Sequence, residues 1–242
     1  MAVRSAATGG VVERVVERIR AVALVAAIGY VLLSVVTVTV GLALTKLTSR
    51  TWPVNLDFDA VRWLAHHRTS TFDTLSLIGS WLAGQWTVPL TVAVLLAVFA
   101  LVRHWEWFTL FAVGPALEGL VYLTTTWVVS RERPPVPRLE DLIHNDSFYS
   151  GHTASAVVLW GSIAIVVCAV AHSRWIRVLA VSWAFVVPVL VASSRAYRGM
   201  HFPSDTIVGA LVGLGCLTTA VAASRVAVGE PLPSRLGARF PS

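Results

Sequence analysis

From Ala21 to Leu44 the chain carries no charged residue. A helix of about 20 apolar residues spans a hydrocarbon core about 30 Å thick. Inside lipid the backbone must satisfy its own hydrogen bonds, so such a run has to be helical. Five more apolar runs follow, at Trp86–Val102, Trp107–Val129, His152–Ala171, Trp175–Ala192 and Pro203–Ala223. The expected fold is all-α: a polytopic membrane bundle of six transmembrane helices. Composition excludes an ordinary soluble domain, because 56% of the 242 residues are hydrophobic and only 13% are charged.

Charge and punctuation organise what lies between the runs. The formal net charge is +6, which in a membrane chain points to anionic lipid or phosphate as the partner and not to nucleic acid. No nucleic-acid motif is present. Cys168 and Cys216 both fall inside apolar runs, which argues against a disulfide framework or a zinc site. The first apolar run is too long for a cleavable signal peptide and shows no small-residue cleavage site. Residues 1–21, where Val-Val-Glu-Arg occurs twice, read as a cytoplasmic amphipathic lead-in helix. Residues 22–223 form the membrane domain and 224–242 a flexible cytoplasmic tail. Within 46–85, acids and bases alternate with apolar residues, as expected for short interfacial helices, and Trp52, Trp63 and Trp81 suit a headgroup belt. His66 and His67 read as surface residues. Six spans put both termini on one side. Once the arginines of the candidate site are discounted, the positive-inside rule makes that side cytoplasmic and turns the site outward, at the plasma membrane.

Two polar stretches open on the outward face. One runs from Ser194 to Asp205 and holds Arg195, Arg198 and His201. Pro203 suits the first turn of a helix. His201 and Asp205 are then one turn apart, close enough for the carboxylate to orient the imidazole. The other stretch begins at Arg131-Glu132-Arg133-Pro134 and ends at Tyr149-Ser150-Gly151-His152. Ser150 can cap the following helix, Gly151 permits close approach to the backbone, and free amides at a helix start attract an anion. Pooled, the two stretches offer Arg133 and Arg195 as charge clamps and Ser150 and the Gly151 amide as donors. His201 with Asp205 makes a nucleophile pair, and His152 supplies an acid. Glu118, in the middle of the third run, is either a functional carboxylate or one bonded inside the bundle. No carboxylate cluster offers a metal site.

These motifs resemble the type 2 phosphatidic acid phosphatases, or lipid phosphate phosphatases, which share a fold with vanadium haloperoxidases. The family motifs are Lys-x6-Arg-Pro, Pro-Ser-Gly-His and Ser-Arg-x5-His-x3-Asp. The third is complete here as Ser194, Arg195, His201 and Asp205. The second reads Tyr149-Ser150-Gly151-His152, and the first keeps Arg133-Pro134 with Thr126 in the lysine position. The resemblance implies a metal-independent, cofactor-free phosphatase for lipid phosphates or prenyl diphosphates. In it His201 takes up the phosphoryl group, Asp205 holds its tautomer, and His152 protonates the leaving oxygen and then activates water. Arg133, Arg195, Ser150 and Gly151 hold the phosphoryl oxygens. Arg131 stands as a replacement for the missing cation, with Thr126 and Ser194 as accessory residues.

Two other classes compete with this reading. Thr126 supports a weakened or inactive relative that binds lipid phosphate, separable from an enzyme by phosphate release in the presence of EDTA. A transporter using Glu118 would call for inverted repeats or broken helices, and the sequence shows neither. Neither the identity of the lipid nor the oligomeric state is written in the sequence.

Overall fold

The computed structural model describes residues 2–47, 51–141 and 146–229, with the backbone alone for 2–11. Eight helices follow one another among the described residues: α1 (Ala2–Lys46), α2 (Val54–His66), α3 (Ser70–Trp81), α4 (Thr87–Leu101), α5 (Trp105–Val128), α6 (Gly151–Val170), α7 (Arg174–Tyr197) and α8 (Pro203–Val228). The expected all-helical membrane bundle is what forms. Five helices, α1, α5, α6, α7 and α8, are long and apolar enough to cross a membrane. The sixth expected span, α4, has 15 residues. At 1.5 Å per residue it measures about 22 Å, short of the hydrocarbon thickness.

Three element boundaries differ from expectation. α1 runs without a break through residue 21, because nothing between the amphipathic segment and the apolar run interrupts helical hydrogen bonding. α7 continues past Ala192 to Tyr197, so Ser194 and Arg195 sit on its last turns and not in a loop. α8 extends past residue 223 to Val228, where Gly229, at φ 83°, ends it in the left-handed conformation that glycine adopts without strain. Residues 230–242 of the expected tail lie outside the described residues.

α8 occupies the middle of the bundle, against α1, α5 and α6, while α6 also packs along α7. Small residues allow the closest of these approaches. A Cβ on Gly209 would lie 2.5 Å from Ser150 O, and one on Gly213 would lie 2.6 Å from Ala154 O. Glycines four apart thus let α8 seat directly on the first turn of α6, as small residues do in lipid, where dispersion and not hydrophobicity drives helix contact. A cluster of Leu117, Val121, Val129, Phe148, Tyr149, Ala154, Val158, Val212 and Cys216 fills the space beneath that junction. Large apolar side chains such as Leu179, Phe185, Leu190 and Leu211 stay exposed, as the lipid-facing side of a membrane helix requires.

The expected interfacial helices are α2 and α3. Thr69 caps α3, its hydroxyl accepting from the Phe72 N–H at 3.3 Å. Val54, Asp57 and Val61 make one buried stripe on α2, which faces α7 and α8. The connection from α5 to α6 folds back over the same end. Glu132 and Asp146 pair as an isolated bridge, Ser147 N–H donates to Arg131 O at 2.7 Å, and Leu139 N–H donates to Arg198 O at 3.1 Å. Gly199, at φ 72°, turns the chain between α7 and α8 where a Cβ would press on Pro137 O and Val136.

Candidate active site

A cavity of about 850 Å³ opens at this end of the bundle, lined by Tyr122, Arg133, Glu140, Gly151, His152, Arg195 and His201 with residues of α3, α4 and α5. The fold therefore brings together, around one space, the two histidines, the two clamp arginines and the helix-start glycine expected from sequence. A smaller cavity of about 380 Å³, lined by Val92, Leu96, Pro115, Val158 and Leu159, shares Val88, Pro89, Glu118 and Ser155 with it. Polar residues at the mouth thus give way to an apolar lane between α4, α5 and α6.

Ser150 is the N-cap of α6. Its side chain accepts from Thr153 N–H at 3.4 Å, and its carbonyl accepts from Ala154 N–H at 3.1 Å. Wholly buried, Ser150 holds the helix start in place and is not part of the cavity wall. Gly151 and His152, the next two residues, do line the cavity. Arg195 reaches in from α7, with Nη1 donating to Ser80 Oγ at 2.8 Å and to Glu140 Oε2 at 2.6 Å. Its Nε is buried with no hydrogen-bond partner among the described residues. An unpaired guanidinium N–H at a cavity wall is costly unless an acceptor arrives. Arg133 donates through Nη1 to Met200 O at 2.5 Å. Burial lowers its pKa, countered by Tyr122.

His201 is 4% exposed, and its Nδ1 lies 2.7 Å from Ser147 O. A carbonyl oxygen only accepts, so this contact places the proton on Nδ1 and leaves Nε2 with its lone pair. Burial, reinforced by Arg195 and Arg133, holds the His201 pKa well below the usual histidine value. Both effects favour the neutral imidazole, the form whose bare Nε2 could attack an electrophile. Glu140 bridges two arginines, accepting from Arg195 and from Arg198 Nε at 2.5 Å. Burial works to raise its pKa, but Arg195 and Arg198 together carry it below the ordinary carboxylate value.

The expected hydrogen bond from His201 to Asp205 is absent. Asp205, wholly buried, accepts instead from Arg131 Nη1 at 2.5 Å, from Phe202 N–H at 2.9 Å and from the Ser147 hydroxyl. The Ser147 carbonyl takes the place beside the imidazole, and the hydroxyl of the same residue meets the carboxylate. Arg131 is likewise not the replacement phosphate cation. Its second Nη donates to Asp57 Oδ2 at 2.8 Å, and two carboxylates keep it away from the cavity wall. Thr126 also lies off that wall, with its hydroxyl donating back to Tyr122 O at 3.0 Å. The Ser194 hydroxyl donates to Ser76 O and pins α7 to α3. Sequence reasoning missed Tyr122 and Glu140 as wall residues and Asp57 as a buried acid. Glu118, open on sequence grounds, accepts from Ser155 Oγ at 3.0 Å and borders both cavities. Among the described residues, no three His, Cys, Asp or Glu side chains gather so as to hold a metal ion.

The model of the PAP2 superfamily matches residues 92–228, more than half of the chain and every cavity-lining motif. The chain belongs to the PAP2 superfamily. YbjG of Escherichia coli strain K12, by name a candidate undecaprenyl-diphosphatase, is 31% identical over 139 residues. That match covers 55% of this chain and 65% of YbjG. Two solved structures share the fold. The transmembrane PAP2-type phosphatidylglycerolphosphate phosphatase of Bacillus subtilis superposes with a TM-score of 0.64 at 21% identity, over 77% of this chain and 93% of the other. LpxE of Aquifex aeolicus superposes with a TM-score of 0.53 at 22% identity, over 69% and 94%. Both likenesses concern the helical scaffold alone.

Proposed function

We propose that this PAP2 protein is an integral-membrane, metal-independent phosphatase that hydrolyses a lipid phosphate or prenyl diphosphate through a phospho-histidine. The observation that carries the reading is the shared cavity, where a neutral, oriented His201 faces His152, Arg133 and Arg195 at the start of α6. The Nε2 lone pair forms the N–P bond as the P–O bond to the leaving alkoxide or phosphate breaks, and His152 gives that oxygen a proton. His152 then takes a proton from water, the new hydroxide attacks phosphorus, and the N–P bond breaks. Arg195, Arg133 and the Gly151 amide meet the equatorial oxygens. Positioned charge of this kind supplies most of the catalysis of phosphoryl transfer. The apolar lane beyond Glu118 suits the hydrocarbon part of such a substrate.

The direct test is phosphate release from dioctanoyl phosphatidate and from farnesyl diphosphate by purified protein with EDTA present. Turnover of either supports the reading. Tight vanadate binding with no turnover of either would favour the second reading, a non-catalytic binder of lipid phosphate. The site is proposed to face outward, with both termini in the cytoplasm. In a Cys168→Ser background, cysteine at exposed Gln85, on the cavity rim, should react with an impermeant maleimide in intact cells. Cysteine at exposed Arg103, on the α4–α5 turn, should not, and the reverse pattern would invert the assignment.

A further inference from the structure

α2 lies outside the membrane-spanning set, yet its buried stripe holds an acid between Val54 and Val61. Asp57 is 3% exposed. Its Oδ1 accepts from Ser204 N–H at 2.9 Å, and its Oδ2 accepts from Ser204 Oγ at 2.5 Å and Arg131 Nη2 at 2.8 Å. Arg131 spreads its other Nη between Asp205 and Ser204 Oγ. Its guanidinium also sits 4.5 Å from the centre of the Phe202 ring, which in turn packs on Phe58 of α2 at 5.1 Å. Asp205 receives the Ser147 hydroxyl, the backbone of Ser147 donates to Arg131 O, and the Ser147 carbonyl holds His201 Nδ1.

We propose that Asp57 and Arg131 are positioning residues for His201: the carboxylate on α2 fixes the guanidinium, the guanidinium fixes Asp205 and Ser147, and Ser147 fixes the direction of the imidazole. None of Asp57, Arg131, Ser147 and Asp205 lines the cavity, so none of them touches a ligand there directly. The charge arithmetic makes the chain fragile at its centre. Two buried carboxylates share one guanidinium, and removing the cation leaves like charges facing one another out of water. Neutralising Asp57 instead leaves one carboxylate with one cation and loosens only the far end.

The test uses the full chain in detergent as Asp57→Asn, Arg131→Gln and the double variant. The kinetic arm rests on the phosphatase reading, whereas a second arm reads the imidazole directly by nitrogen-15 NMR of histidine-labelled protein, with His201 assigned from His201→Gln. Asp57→Asn should lower kcat about tenfold with KM held within about twofold, and Arg131→Gln should lower kcat about 100-fold. The double variant should be more active than Arg131→Gln alone, since it buries one charge fewer. In wild type the two ring nitrogens of His201 should show one protonated and one bare signal, converging toward a tautomer mixture in Asp57→Asn. An unchanged ring pattern in Asp57→Asn, or kcat within twofold of wild type, would overturn the proposal and reduce Asp57 to a staple for α2. If Asp57→Asn is not recovered folded, Ser204→Ala removes one arm of the same contact and should give the same ring signature with about a threefold loss in kcat. A wild-type protein with no phosphatase activity would refute the proposed function and still leave the ring pattern to decide this inference.

Discussion

Behind His201, Asp57, Arg131, Asp205, Ser147 and Ser204 leave no buried side-chain polar atom unpaired, whereas in front of it the buried Nε of Arg195 has no partner among the described residues. The rear wall is closed and held by charge-assisted contacts. The front wall opens on a cavity and keeps a donor waiting. Hydrogen bonds already made resist rearrangement, and those left unmade attract a ligand. The same residue types, Arg and Asp or Glu, therefore serve opposite ends according to what surrounds them. At the back an arginine is spent on two carboxylates. At the front Arg195 meets Glu140, a side chain 25% exposed at the cavity edge, and keeps a face free.

The sharpest break in this contrast comes at the two histidines. His201→Ala and His152→Ala should each lower kcat by about 10³-fold or more, with the proteins still folded by circular dichroism. A phospho-enzyme trapped by an alkaline denaturing quench should appear in wild type and vanish in His201→Ala. Next comes the front wall. Arg195→Ala removes the waiting donor and should cost about 10²–10³ in kcat/KM and weaken vanadate, measured by inhibition. It also strips Ser80 and Glu140 of a partner, so Arg195→Lys, which restores charge without the forked geometry, should recover only part of the loss.

Acid probes the rear wall more gently. The folded His201 has a pKa well below its unfolded value of about 6.5, so unfolding takes up a proton below that pH. Stability contributed by this group is therefore complete above about pH 6.5 and falls as the pH drops, by at most about 1.4 kcal/mol per unit. The thermal midpoint should decline from pH 7.5 to pH 5.5, with a shallower slope in His201→Gln. Thr126→Lys should do least. Position 126 lies off the cavity, so activity and vanadate affinity should stay within about twofold of wild type. A clear gain would put that position back against the phosphate.

Much of the front wall was legible in sequence because its residues sit where helices begin or end. Ser150 before an apolar run and Pro203 after Phe202 are signals made by a few neighbouring residues, and Arg195 stands only three positions beyond the apolar run that ends at Ala192. The rear wall was not legible in this way. Arg131 and Asp205 are 74 positions apart, and Asp57 is 147 from Ser204. In a mixed, Trp-rich segment Asp57 reads as one more headgroup-facing acid. Its spacing with Val54 and Val61, three and four residues away, was the available clue, because it places the acid on the buried stripe of α2. Thr126 misled for a related reason. Counting seven residues back from Arg133 treats helix and loop as one ruler, and the helix turns that position off the wall. The apolar runs gave the membrane bundle directly, since hydrocarbon length is a one-dimensional constraint.

Gly209 carries a consequence for reactivity. The Ser150 carbonyl rests where its methyl would be, so the height of α6 against α8 is set by an atom that is missing. His152 rides on α6, and His201 stands just ahead of α8. A methyl there would shift His152 relative to His201 without touching either. Under the proposed mechanism, attack on phosphorus would persist while proton delivery to the departing oxygen weakened. Basic alkoxides, which depend on that proton, would then suffer far more than nitrophenolate, which leaves unaided. The sensitivity of rate to leaving-group acidity is in this way a measure of the spacing between two helices.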